Sequence, residues 1–237
     1  MERKSGILMP IFSLPSKYGI GTLGKEAYKF ADFLAAAGQS VWQLLPLGPT
    51  SYADSPYSSF STFAGNPYFI DLDTLVSDGL LKRAEINAVD WGADPRHVDY
   101  GKIYEHRFAL LSLACGRGWE RDREAVAAFE RENSRWLPDY ALFMALKRRF
   151  GMKSWMEWPD EDARMRTPAA MESYRAELAD DIRLFTYIQY LFYKQWDALR
   201  DYVHGLGIDI VGDLPIYVAT DSADIWAEPQ FFQLDEE

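Results

Sequence analysis

The feature that most constrains this chain is a strand–helix–strand signature within its first 47 residues. Residues 6–14, GILMPIFSL, form a short apolar run closed by Pro15; its length and its internal Pro10 argue for a buried strand rather than a helix. From Lys25 onward, Ala27, Phe30, Ala31, Leu34 and Ala37 recur at helical spacing, and Gly38 stands where a left-handed cap would end the helix. Residues 41–47, VWQLLPL, are a second apolar run. Two buried strands joined by a helix pair in parallel through a right-handed crossover.

The rest of the chain extends that pattern. Residues 48–69, GPTSYADSPYSSFSTFAGNPYF, make a polar and aromatic loop longer than ordinary connections, which marks it as functional or as the entry to an insertion. Residues 72–181 then read as helical, with helices predicted at about 102–114, 123–132 and 138–150. The last has Pro138 at its start, Lys147, Arg148 and Arg149 in its final turn and Gly151 beyond it, which is the chemistry of helix ends. Ile182, Phe185, Ile188, Leu191, Phe192, Trp196, Leu199 and Val203 mark one face of a long helix ended by Gly205 and Gly207. Residues 208–218, IDIVGDLPIYV, read as a third strand with Asp213 near its C-terminal end. The expectation is an α/β chain holding the first three strands of a (β/α)8 TIM barrel, with an α-helical insertion: residues 1–71 barrel, 72–181 insertion, 182–237 barrel again. A doubly wound sheet is the rival. GIGTLG, with Gly19, Gly21 and Gly24, matches G-x-G-x-x-G, but no acid follows about twenty residues later at a second strand end, where residues 39–43 stand instead, so no dinucleotide site is read there.

A formal net charge of -11 offers no basic field, which argues against nucleic acid or an anionic membrane surface as partner. There is no apolar run of about 18 residues and no leader pattern, so the expected location is the cytoplasm. Cys115, the only cysteine, lies in the apolar stretch FALLSLAC and reads as core. Aromatic residues make up 15 % of the chain, and several stand in loops beside Pro, Gly and Ser, where a ring is more easily offered to a ligand.

Few segments could carry chemistry. DSPYSSFS gathers Asp54, Ser55, Tyr57 and Ser58 after the second strand; it reads as a turn, or as a platform giving a ring to the apolar face of a pyranose and polar groups to its hydroxyls. Asp213 follows an apolar run, a costly place for an acid unless it is paired or faces an open site at the strand's C-terminal end. Asp221 and Asp224 have the spacing of a capped helix start. His97, His106 and His204 show no metal-ligand spacing, the Asp71 to Asp73 DLD reads as a chance tripeptide, and no G-x-S-x-G elbow is present.

Three segments in this order and spacing, GILMPIFSLPSKYGIGTLG, WQLLPLGPTSYADSPYSSFSTFAGNPYFIDL and GDLPIYVATDSADIWAEPQFF, resemble the amylomaltases, the 4-α-glucanotransferases of glycoside hydrolase family 77. The resemblance implies a (β/α)8 barrel with helical subdomains, no cofactor or metal, and transfer of α-1,4-glucan segments among maltooligosaccharides, with glucose as an acceptor. By that resemblance Tyr57 stacks on the sugar at the cleavage point, Ser55 binds its hydroxyls and Asp213 binds the same sugar. Tyr52 and Tyr100 are similar to aromatics that hold glucan in a groove away from the active site. Retaining transfer needs a carboxylate nucleophile and an acid/base about 5 Å apart. In the family these lie on later strands in an R-x-D-H-type segment and beyond; this chain has no such segment, so its catalytic groups are expected C-terminal to Glu237. Besides a piece of a transferase, a non-catalytic glucan-binding fragment and a small hydrolase using Asp54 and Asp213 are alternative readings. Three strands alone cannot close a barrel, so the isolated chain is expected to be marginal or self-associating.

Overall fold

The computed structural model describes residues 3–50, 54–92, 94, 96–214 and 217–234. Strands β1 (Gly6–Leu8), β2 (Val41–Gln43) and β3 (Asp209–Val211) form one parallel sheet in the order β1-β2-β3. Helix α1 (Lys25–Ala36) makes the crossover between the first two strands, and Gly38 takes the expected left-handed conformation at φ 68°. Ile7, Trp42 and Ile210 share one sheet face by register; Trp42 is fully buried there, 5.0 Å from the ring of Phe30 on α1, and its indole N–H donates to the Met9 carbonyl at 2.8 Å. On the other face Leu8 and Val211 are 49 % and 44 % exposed.

All three strands are shorter than their apolar runs. Pro10 has no N–H to give the ladder, and residues Ile11–Ser13 coil into a 3-10 turn closed by Ser13 N–H on the Pro10 carbonyl at 3.1 Å. In the second run Leu44 still donates to the Val211 carbonyl at 2.9 Å, but Pro46 cannot continue the pairing. With β2 gone, the described residues after Val211 have no strand partner, and of the predicted strand 208–218 three described residues, Asp209–Val211, form strand.

Eight further helices lie between β2 and β3 among the described residues: α2 (Leu72–Ser77), α3 (Arg83–Asn87), α4 (Tyr100–Gly118), α5 (Arg123–Glu132), α6 (Leu137–Arg149), α7 (Glu161–Arg164), α8 (Pro168–Glu177) and the 27-residue α9 (Ala179–Gly205). Helix α5 has the predicted bounds; α4 and α9 extend beyond theirs; α6 has Pro138 in its first turn and Gly151 at φ 68° just past its end. A short α10 (Ala223–Ala227) follows β3.

The chain divides into two compact units. The first, residues 1–47, 65–121 and 190–214, holds the sheet. Close approach requires glycine here: a Cβ on Gly21 would lie 1.9 Å from the Ile11 carbonyl oxygen, and one on Gly65 would lie 2.0 Å from the Phe192 ring. Arg107 of α4, wholly buried, pins this region by donating to the Ile70 carbonyl at 2.9 Å and the Tyr18 carbonyl at 3.4 Å; burial pushes its pKa down to about 10, still charged at neutral pH. The second unit, residues 48–64, 122–189 and 215–237, is built on a triad of rings. Phe143, Trp158 and Trp226 stand 5.7 to 5.8 Å apart, and the Trp226 indole donates to the Ala163 carbonyl at 3.1 Å. Cys115 is buried, as its apolar setting predicts.

Candidate functional site

In the second unit, the described residues of the loop 48–64 form a mounted turn. Thr50 and Ser59 bridge antiparallel across its base. Ser58 N–H donates to the Ser55 carbonyl at 3.1 Å with Pro56 between, and Tyr57 N–H to the Ser55 hydroxyl at 3.3 Å, the turn predicted from the Asp-Ser-Pro sequence. Asp54 enters it at φ 55°, a left-handed conformation that aspartate tolerates better than most residues. The turn leaves the Tyr57 ring 49 % exposed, while burial raises the Asp54 pKa.

The second half of the loop is held more firmly. The Ser59 hydroxyl donates to the Ser61 carbonyl at 2.7 Å, and the Ser61 hydroxyl accepts from Phe63 and Ala64 N–H at 3.2 and 3.3 Å. The Phe60 carbonyl accepts from Ala223 N–H at 2.8 Å, and Asp224 accepts from Thr62 N–H at 3.0 Å and from its hydroxyl at 2.6 Å. A half-exposed ring, a serine hydroxyl and a carboxyl are thus gathered within four residues, next to a segment held by hydrogen bonds. That set suits a neutral polyol: the ring covers C–H groups and the oxygens take hydroxyls.

The structural role expected of Asp221 and Asp224 holds in a different form. Ser222 caps α10, accepting from Ile225 N–H at 3.3 Å, which leaves both aspartates to tie neighbouring segments. The spacing of the two acids masks the cap, which is the buried serine between them. Sequence reasoning also passed over a cavity of about 230 Å3 in this unit, lined by Phe63, Trp136, Tyr140, Phe231, Asp139 and Asp224 among others, where the Phe63 and Trp136 rings lie 21° from parallel with centroids 6.2 Å apart.

In the first unit, Asp213 is half-buried two residues past the end of β3, the strand-end position predicted for it. Tyr100 opens α4, half-buried, its ring 6.5 Å from that of Tyr68. Tyr52 lies outside the described residues. The structure therefore brings Ser55 and Tyr57 together in one turn and carries Asp213 and Tyr100 on separate elements of the first unit.

The other motifs of this unit are occupied by the fold itself. A Cβ on Gly24, the residue just before α1, would fall 2.2 Å from the Asp71 carboxylate, so an acid stands where a nucleotide phosphate would have to sit. Asp71 also caps α2 through Thr74 N–H at 2.8 Å and accepts from the Thr22 hydroxyl at 2.8 Å. Asp73 accepts from Tyr18 at 2.5 Å and pairs with Arg83 and Lys17. Burial opposes its ionisation, but these partners hold its carboxyl below the usual range. Among the described residues no three His, Cys, Asp or Glu side chains cluster as metal ligands, and no helix is long and apolar enough to cross a membrane.

A profile of the 4-alpha-glucanotransferase family matches residues 9–237. The 4-alpha-glucanotransferase of Streptococcus pneumoniae serotype 4 is 51 % identical over 235 residues, covering 99 % of this chain and 46 % of that protein; the Thermus thermophilus enzyme of the same name is 46 % identical over 242 residues, covering 100 % and 47 %. Among solved structures, an amylomaltase from Streptococcus agalactiae in complex with acarbose superposes with a TM-score of 0.96 at 43 % identity, over 99 % of this chain and 48 % of that one. The chain spans about half the length of the curated relatives it matches. The family match over nearly every residue, including the turn bearing Ser55 and Tyr57 and the strand end bearing Asp213, means that this chain belongs to the 4-alpha-glucanotransferases of glycoside hydrolase family 77.

Proposed function

We propose that this chain is the substrate-binding N-terminal part of a 4-α-glucanotransferase that moves α-1,4-glucan segments between maltooligosaccharides, with glucose as an acceptor, by a retaining mechanism. The observation that carries the reading is the hydrogen-bonded turn in which Tyr57 N–H donates to the Ser55 hydroxyl while the Tyr57 ring stays half exposed. Support comes from the acarbose complex of the similar streptococcal amylomaltase. Tyr57 stacks on the sugar at the cleavage point, Ser55 and Asp213 bind that sugar's hydroxyls, and Tyr52 and Tyr100 hold glucan in an outer groove. No residue of this chain is assigned as nucleophile or acid/base: those two carboxylates lie C-terminal to Glu237.

The same reading makes the three parallel strands the start of a (β/α)8 barrel, with residues 1–71 and 182–237 as barrel segments and 72–181 as the helical insertion. The half-exposed Leu8 and Val211 support it, because the inner face of a barrel strand is covered only by the other strands. It assigns no cofactor, and it places the protein in the cytoplasm.

Incubation of the chain with maltotriose, followed by chromatography, tests the division of labour. No product is expected. Glucose together with longer maltooligosaccharides would place the chemistry within residues 1–237, and glucose with maltose alone would make the chain a hydrolase. Titration with maltoheptaose, followed by tryptophan fluorescence or calorimetry, tests binding. Tyr57→Ala is expected to weaken it roughly tenfold, the ~1.4 kcal/mol of one stacked ring; unchanged affinity would remove Tyr57 from the site.

A further inference from the structure

We propose that Lys147 and Asp221 are positioning residues for the Tyr57 turn: their ion pair locks residues 220–224 against α6, and that segment in turn holds the loop carrying Ser55 and Tyr57. The inference takes its ligand from the glucan reading above, but its geometry stands apart from it.

Lys147 lies in the last turn of α6 with its side chain 0 % exposed, an unusual place for an ammonium group. Burial lowers its pKa, and Asp221 works against that. Its polar partners are the Asp221 carboxylate and the Lys153 carbonyl at 3.0 Å, and its nitrogen also faces the Phe60 ring at 4.8 Å. Phe60 stands three residues after Tyr57, and its carbonyl is the acceptor for Ala223 N–H. Asp221 accepts in addition from Trp155 N–H at 3.1 Å, and the Trp155 indole donates to the Thr220 carbonyl at 2.9 Å. The 220–224 segment is thereby fastened on one side to α6 and the Trp155 turn, and on the other to Phe60 and Thr62.

An ion pair with a buried ammonium group and a carboxylate that is 28 % exposed is a poor source of stability. Replacing one with apolar side chains of similar volume is often neutral or stabilising, and its best-attested use is to hold one register. Methionine at 147 would fill the same space without the charge. What the lysine adds is direction: one ammonium group joins the 220–224 segment to the ring at the foot of the Tyr57 turn.

The test is the double variant Lys147→Met/Asp221→Asn in the 237-residue chain; asparagine at 221 retains an acceptor for Trp155 N–H. Amide exchange, the thermal midpoint and maltoheptaose affinity are compared with the unmodified chain. The midpoint is expected to stay the same or rise, while the Ala223 and Thr62 amides exchange at least tenfold faster and those within α6 do not. Affinity is expected to fall severalfold, with no further fall when the pair is replaced in a Tyr57→Ala background. Unchanged exchange at Ala223 and Thr62 would overturn the proposal. So would a lowered midpoint with equal acceleration throughout α6, which is the mark of a merely structural pair. Should the double variant not fold, Asp221→Asn alone decides by the same exchange criterion. An unmodified chain that ignores maltoheptaose would sink the glucan reading while leaving the exchange result to judge the lock.

Discussion

Glu85 receives two bonds from the Arg117 guanidinium, at 2.6 and 2.8 Å, and one from Lys82 N–H at 2.8 Å. The guanidinium first, and the backbone N–H after it, lower its pKa from 4.5 to about 2. A carboxyl with a depressed folded pKa contributes stability that is present above the unfolded value and is lost as pH falls toward the folded one. Urea denaturation is therefore expected to show stability declining between pH 4.5 and 2. Glu85→Gln should flatten part of that decline, and an identical slope in the variant would refute the assignment. Legibility at this scale depended on exposure. Tyr57 stood out because Asp, Ser and Pro around it announce a turn, and turns offer side chains to solvent. Lys147 did not, because the basic run of Lys147, Arg148 and Arg149 reads as helix-end chemistry and gives no sign that one of the three points inward.

At the scale of elements, the strand, helix, strand order was legible and the strand lengths were not. Apolarity reports burial, and residues 9–14 and 44–47 are largely buried or half-buried without being strands, because Pro10 and Pro46 break the ladder while the side chains stay in the core. The full role of Asp71 was also hidden, because beyond its local cap it depends on distant groups. Asp71 ends one segment by capping α2, takes the Thr22 hydroxyl, and its main chain is bracketed by Gln195, whose amide oxygen accepts from Asp71 N–H at 2.7 Å and whose amide nitrogen donates to the Asp71 carbonyl at 3.2 Å. Asp71→Ala removes the cap and leaves a buried threonine hydroxyl without its acceptor. A loss of about 1 to 2 kcal/mol in urea denaturation is expected. A variant as stable as the parent would show that the helix start is held by the Gln195 bracket alone.

For the whole molecule, the sheet sets the behaviour in solution. Parallel sheets are ordinarily covered on both faces, yet here Leu8 and Val211 stay about half exposed, and β1 and β3 are its outer strands. The 237-residue chain is expected to self-associate at micromolar concentration in sedimentation velocity. Leu8→Lys combined with Val211→Lys should shift it toward monomer; a parent chain that is monomeric with a cooperative thermal transition would contradict this. The sheet order itself was readable from the spacing of three apolar runs. The grouping of residues 48–64 with 122–189 and 215–237 was not, because contacts such as that of Thr62 with Asp224 join positions 162 residues apart, and no local pattern encodes them.

That separation also orders events during synthesis. A ribosome adding roughly 5 to 20 residues per second needs on the order of ten to thirty seconds to travel from Thr62 to Asp224. Throughout that interval the Tyr57 turn exists as chain without its anchor, and β2 waits similarly for β3. The anchoring of the turn is thus a late product of translation, acquired only when the chain has reached α10, however early the residues of the turn are made.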